Sequence, residues 1–175
     1  MLKISDVADQ LLTWSRASGW KRTFTLAAGD LPAGRLEFQS AFGTLAKAET
    51  AGGCWTFKRV GFWQQRATIR ACGAETDLAS FQNQTWSGGG TLECAGGQRF
   101  RATTNFWQNR LQFETETGDV VVRFAYGGVF SLKAHVEVAP DARTLHELPL
   151  LVCFGWYLAV MLHDDAAASA VVITS

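Results

Sequence analysis

Seven basic side chains fall between Cys54 and Phe113: Lys58, Arg59, Arg66, Arg70, Arg99, Arg101 and Arg110. Only Glu75, Asp77 and Glu93 oppose them there, which leaves that stretch with a net charge of +4. Basic side chains on one sheet face can hold phosphates by charge and by bidentate hydrogen bonds. These seven are therefore the candidate site for an anionic lipid headgroup. The plainer and favoured reading is a solvated face carrying cross-strand ion pairs. A second set is aromatic: Phe62, Trp63, Phe106 and Trp107, in two FWQ segments. In exposed loops such rings, Trp63 and Trp107 above all, can stack on sugars or enter a lipid interface. As strand starts they are core, the favoured expectation.

Other chemistries find little footing. His135, His146 and His163 are far apart and show no zinc-ligand spacing, so no metal site is expected. The glycine clusters lack the Lys-Ser/Thr of a phosphate-cradling loop, and no GxSxG elbow is present. Glu114, Glu116 and Asp119 read as an ordinary exposed hairpin rather than a carboxylate pair for glycoside chemistry. The cysteines Cys54, Cys72, Cys94 and Cys153 form no CxxC pair. Free thiols in a reducing cytoplasm are the plain expectation. No catalytic residue and no cofactor is predicted, and the expectation is a protein that is not an enzyme.

The elements that must position these residues are mostly strands. With 175 residues, the chain suits one domain with a real core. Sixteen basic and sixteen acidic residues cancel, so the molecule as a whole has no strong pull on a polyanion and nucleic acid is not an expected partner. MLKISDVADQ has no apolar stretch of the kind a secretory signal needs. Ser5 to Arg16 could form an amphipathic helix, although LLTW could equally enter a first strand. Beyond Trp20 the period is two. RTFTL, RLEFQ, GTLAKAE, CWTFKR, RATIRA, DLASFQ, GTLEC, QRFRAT, RLQFET, VVVRFA and KAHVEV read as eleven short strands separated by glycine-rich turns. FWQQR (62–66) and FWQNR (106–110) stand 44 residues apart, each followed by strand, turn and strand, so one multi-hairpin unit occurs twice. Regular short strands of this kind favour a sandwich or a barrel.

Against that background stands LPLLVCFGWYLAVML, residues 148–162, with no charge. A helix apolar on every side must be surrounded by lipid or by protein. Fifteen residues make about 22 Å of helix, short of the roughly 30 Å hydrocarbon core. Extension through AAASAVVI would place His163, Asp164 and Asp165 near mid-span, at about 2.5–3.5 kcal/mol for a central Asp. No transmembrane span is therefore predicted. Pro149 suits a first helical turn, and Gly155 would let the backbone approach a wall closely. His163, Asp164 and Asp165 mark where the helix should meet water. A sheet closed into a barrel too wide for side chains alone would be filled by such a helix.

The stretches GTLAKAETAGGCWTFKR, FWQQRATIR and AHVEVAPDARTLHELPLLVCFGWYLAVMLHDD make the chain resemble the tubby C-terminal-like superfamily. It is most similar there to the LURP-one-related proteins and their bacterial relatives. The resemblance covers most of the chain after about Trp20 and implies a closed barrel of twelve strands around a central hydrophobic helix. Functions within that superfamily diverge, from phosphoinositide binding to calcium-dependent action on phospholipids. The chain has neither the Cys cluster nor the Asp-rich loop of the scramblase-like members, so that role does not carry over. Fold alone does not fix function.

The expectation is thus a mainly β, closed antiparallel barrel of about twelve strands around a C-terminal helix at 148–165. One domain takes in residues 1–175, with 1–20 as an N-terminal segment. Its expected role is non-catalytic binding, through the outer surface, of anionic lipid headgroups or a protein partner. The alternatives are a carrier of a small hydrophobic ligand and, behind it, a hydrolase.

Overall fold

Every strand carries one apolar face, and the chain covers all of them by closing the sheet on itself. The structure is a computed structural model that describes residues 1–17, 21–61, 66–84, 89–105, 107, 109–127 and 132–173. Twelve strands follow in order: β1 (Leu12–Arg16), β2 (Thr23–Ala28), β3 (Leu31–Phe38), β4 (Ala46–Thr50), β5 (Gly53–Val60) and β6 (Arg66–Ala71). Then come β7 (Ala79–Asn83), β8 (Gly90–Cys94), β9 (Arg99–Thr104), β10 (Arg110–Glu114), β11 (Val120–Tyr126) and β12 (Lys133–Val138). Each pairs antiparallel with its neighbour in sequence, and β1 pairs with β12 to close the barrel. A helix, α1 (Leu148–Ile173), fills the interior with its stretch from Leu148 to Met161.

The eleven strands read from the sequence are all present. The ambiguous stretch before them becomes a 3₁₀ turn, Ile4–Val7, followed by β1. The strand alternative wins there because Leu12 and Trp14 face inward while the backbone pairs with β2 on one side and β12 on the other. A helix in that place would leave the edges of both neighbours unpaired.

Inside, the helix meets a graded wall. Trp156 stacks on Trp14 and meets Phe24 edge-on, while Phe154 packs against Phe57, Phe81 and Phe113. Between these large side chains the inward positions are small: Ala46, Ala48, Ala67, Ala79, Ala102 and Ala134 are all buried. The alternation makes room for a helix rather than for more side chains. Gly155 lies where the helix backbone comes closest. A Cβ there would fall well inside van der Waals contact of the Phe124 ring, and 3.2 Å from Phe113.

Two expectations change. The helix does not stop at Asp165 but runs on to Ile173. Three alanines and Ser169, whose hydroxyl donates to the Asp165 carbonyl oxygen at 2.9 Å, carry it past the acidic pair. The thiols are not all free. Cys54 and Cys72 are bridged, with Cα atoms 5.4 Å apart, because the β5–β6 register that sets Trp55 opposite Ala71 brings them together. Cys94 and Cys153 remain free thiols, half-buried and buried respectively. Burial, then the Glu147 charge, pushes the Cys94 thiol up, and burial alone pushes Cys153 up further.

Candidate functional site

Antiparallel order sorts the connections between strands onto two rims. The lower rim, where α1 enters, has the turn at 51–52, and Pro149 stands against Gly52. Its connections are 29–30, 51–52, 72–78, 95–98, 115–119 and 139–147. The upper rim, where α1 leaves, is joined by 17–22, 39–45, 61–65, 84–89, 105–109 and 127–132. Their sequences differ sharply. The lower connections hold Asp30, Glu75, Asp77, Glu116, Asp119, Asp141 and Glu147, opposed by Arg143. The upper ones hold Lys21 and Arg22 and no carboxylate. By sequence, each upper connection contains a Phe or Trp, and no lower connection contains Phe, Trp or Tyr.

The seven basic residues do not form one face. Arg59 shares the inward parity of Trp55 and Phe57 and grips the helix, donating to Asp165 at 2.9 and 2.8 Å. Burial works to lower its pKa, but the hydrogen bonds and charge of Asp165 outweigh it and the net shift is up. Arg70 pairs with Asp77 at 2.7 Å and Arg99 with Glu93 at 3.0 Å, both towards the lower rim. Arg101 pairs with Glu114 at 2.6 Å on the wall. Lys58, Arg66 and Arg110 differ. They are exposed, stand towards the upper rim and make no ion pair among the described residues. Lys58 and Arg66 are diagonal neighbours on the outer face of β5 and β6, while Arg110 lies four strands further round. The ion-paired face therefore describes three of the seven, Arg70, Arg99 and Arg101; Arg59 turns inward to the helix, and three make no ion pair among the described residues.

Glu114 is not the exposed hairpin carboxylate expected from the sequence. It is 8% exposed, and it accepts from Arg101 at 3.1 and 2.6 Å, Gln112 at 2.7 Å and Thr103 at 3.3 Å. Burial alone would raise its pKa. These donors and the Arg101 charge outweigh burial and hold it low. The register shift between Phe113 and Glu114 marks the same spot.

At the upper rim Trp107, the one ring of the two FWQ segments among the described residues, departs from the core expectation. Trp107 is 74% exposed and Phe42 fully exposed. Phe62, Trp63 and Phe106 lie outside the described residues. Both exposed rings sit on pinned turns. Arg22 donates to the Ala41 and Gly43 carbonyl oxygens at 3.2 and 3.1 Å, on either side of Phe42. The same guanidinium lies 4.0 Å over the Phe38 ring and pairs with Asp164. Tyr157 donates to the Thr44 carbonyl at 2.8 Å, and burial raises its pKa to about 12. Around Trp107, the Asn105 side-chain oxygen accepts the Asn109 and Arg110 amides, both at 3.0 Å.

Sequence reasoning missed Phe42, Arg16 and Lys21, all exposed at this rim. They lie outside the +4 stretch, and comparing alternate connections would have found Phe42 and Lys21. Among the described residues no three His, Cys, Asp or Glu side chains form a metal-ligand group. No family model, curated protein or solved structure matches the chain.

Proposed function

We propose that this protein is a non-enzymatic binding module that takes anionic lipid headgroups at the upper part of its outer surface. The observation that carries this reading is the set Lys58, Arg66 and Arg110: exposed cations with no carboxylate partner among the described residues, near connections that contain no Asp or Glu. Desolvated phosphate oxygens would supply the missing partners, and Lys58 and Arg66 are close enough to share one group. The resemblance to tubby-like proteins points the same way, and the twelve-stranded barrel around an apolar helix agrees with what it implies for the fold. A carrier of a small hydrophobic ligand would need an open centre, where Phe154, Trp156 and Tyr157 are already packed against the wall.

Flotation with vesicles of graded anionic lipid content tests the proposal. Binding should rise with anionic fraction, fall with salt, and drop in a variant carrying Lys58→Ala, Arg66→Ala and Arg110→Ala. No binding at low salt by the unaltered protein rejects it.

A further inference from the structure

The lipid reading leaves open how the barrel would meet a bilayer, and the upper rim answers that. The barrel wall itself presents Arg, Lys and Glu outward on alternating positions, as in Arg66 and Arg70 or Lys47 and Glu49. An apolar layer cannot take such a wall, so only an end of the barrel can enter one. The two ends are not equivalent. Carboxylates crowd the lower connections, and an anionic surface repels that end. The upper connections carry no carboxylate, and Asp164 and Asp165 are each held by an arginine, Arg22 and Arg59.

From the same end α1 projects. Residues 166–173 read AAASAVVI, and Ala167, Ala168, Ser169 and Ala170 are exposed. Eight residues extend the helix by roughly 12 Å. That length suits the headgroup and upper acyl region, about 5–10 Å deep, and is far short of a roughly 30 Å span. Phe42 stands beside this projection on a turn held by Arg22, the residue that also holds Asp164. A fully exposed ring on a turn whose backbone is fixed on both sides keeps its whole apolar surface available for burial in an apolar layer. Trp107, 74% exposed on another turn of the same rim, adds a residue type that favours the membrane interface.

We infer that the protein docks end-on to an anionic bilayer, with Phe42, Trp107 and the last two turns of α1 entering the interface and the exposed cations lying at phosphate level. The inference rests on the lipid-headgroup reading and adds the pose and the apolar anchor. The Arg22–Asp164 and Arg59–Asp165 pairs set the depth, since they tie the helix to the barrel where the apolar projection begins.

An environment-sensitive fluorophore tests the pose. In full-length protein carrying Cys94→Ser, with Cys54 and Cys72 bridged and Cys153 buried, one variant takes the label at Ala168→Cys and another at Glu116→Cys on the opposite rim. On phosphatidylserine-containing vesicles the label at 168 should shift to the blue and be quenched by chain-brominated lipid, and the label at 116 should do neither. Phe42→Ser with Trp107→Ser should weaken partitioning by about tenfold or more, the loss expected from two rings no longer buried. Vesicle binding with both labels unchanged overturns the pose and leaves headgroup binding standing. Absence of any vesicle binding removes both. A change in the protein's own association state with Phe42→Ser and Trp107→Ser, without lipid, would assign this face to a second copy of the chain and overturn the inference.

Discussion

Arg59 and Asp165 are 106 positions apart in the chain and joined by two parallel hydrogen bonds, so the last inward position near the end of β5 fixes the point at which the helix leaves the barrel. The geometry is bidentate, but Asp165 is 48% exposed, and solvent screening reduces what the pair contributes to about 0.5–1 kcal/mol. Its main effect is positional. Replacing Asp165 by Asn should lower global stability little and fray the helix beyond Leu162. Amide hydrogen exchange would show this as faster exchange at 164–170 with 150–160 unchanged. Equal protection in both segments would mean that the packed interior alone holds the helix end.

Gly155→Ala has two opposed effects. Alanine favours helix over glycine by about 1 kcal/mol, yet its methyl group would have to displace Phe124 and press on Phe113, both completely buried. Overpacking of this kind costs about 1–3 kcal/mol, so the net change should be destabilising. Denaturant unfolding measures it. Adding Phe124→Leu should recover part of the loss, because the two substitutions share one contact and their effects should not add. A stabilised Gly155→Ala protein would mean that the ring has room to move.

Period-two alternation was enough to find eleven strands, and a charge-free run the helix, because each reports burial along a single element. What escaped notice depends on relations between elements. Trp107 and Phe42 stand in turns, where no alternation tells inside from outside. Glu114 is buried through three neighbouring side chains on β9 and β10, and its strand pattern alone reads as an exposed edge. The Cys54–Cys72 bridge follows from strand register, which spacing in sequence does not specify. Arg59 was within reach. It follows Trp55 and Phe57 at period two, and a charge on an inward parity calls for a partner inside the barrel.

Glu114 should govern part of the acid limb of stability. Its carboxyl is held below the ordinary Glu value, so it is ionised more readily in the folded than in the unfolded chain. Its contribution is therefore complete above about pH 4.5, near the unfolded value of about 4.3. It is lost as the pH falls through the lower folded-state value. Glu114→Gln should cost about 1–2 kcal/mol at pH 7, since the charge-assisted bonds from Arg101 are weakened. The same variant should flatten the fall in stability below pH 4.5. Parallel pH profiles for the two proteins would show that other carboxylates dominate acid unfolding.

The Cys54–Cys72 bridge joins residues 18 apart across the lower ends of β5 and β6. Closing a loop of that length in the unfolded chain corresponds to about 3 kcal/mol on the chain-entropy estimate. The folded state gains less specificity from it, because the β5–β6 ladder, including the Cys72 amide donating to the Cys54 carbonyl at 3.0 Å, already fixes the hairpin. Reduction should therefore lower the unfolding midpoint while leaving the barrel, and vesicle binding at the opposite rim, intact. Paired unfolding curves with and without reductant, read beside flotation of the reduced protein, separate the two effects. Loss of binding on reduction at a temperature where the barrel stays folded would show that the lower-rim bridge and the upper rim are coupled through the wall.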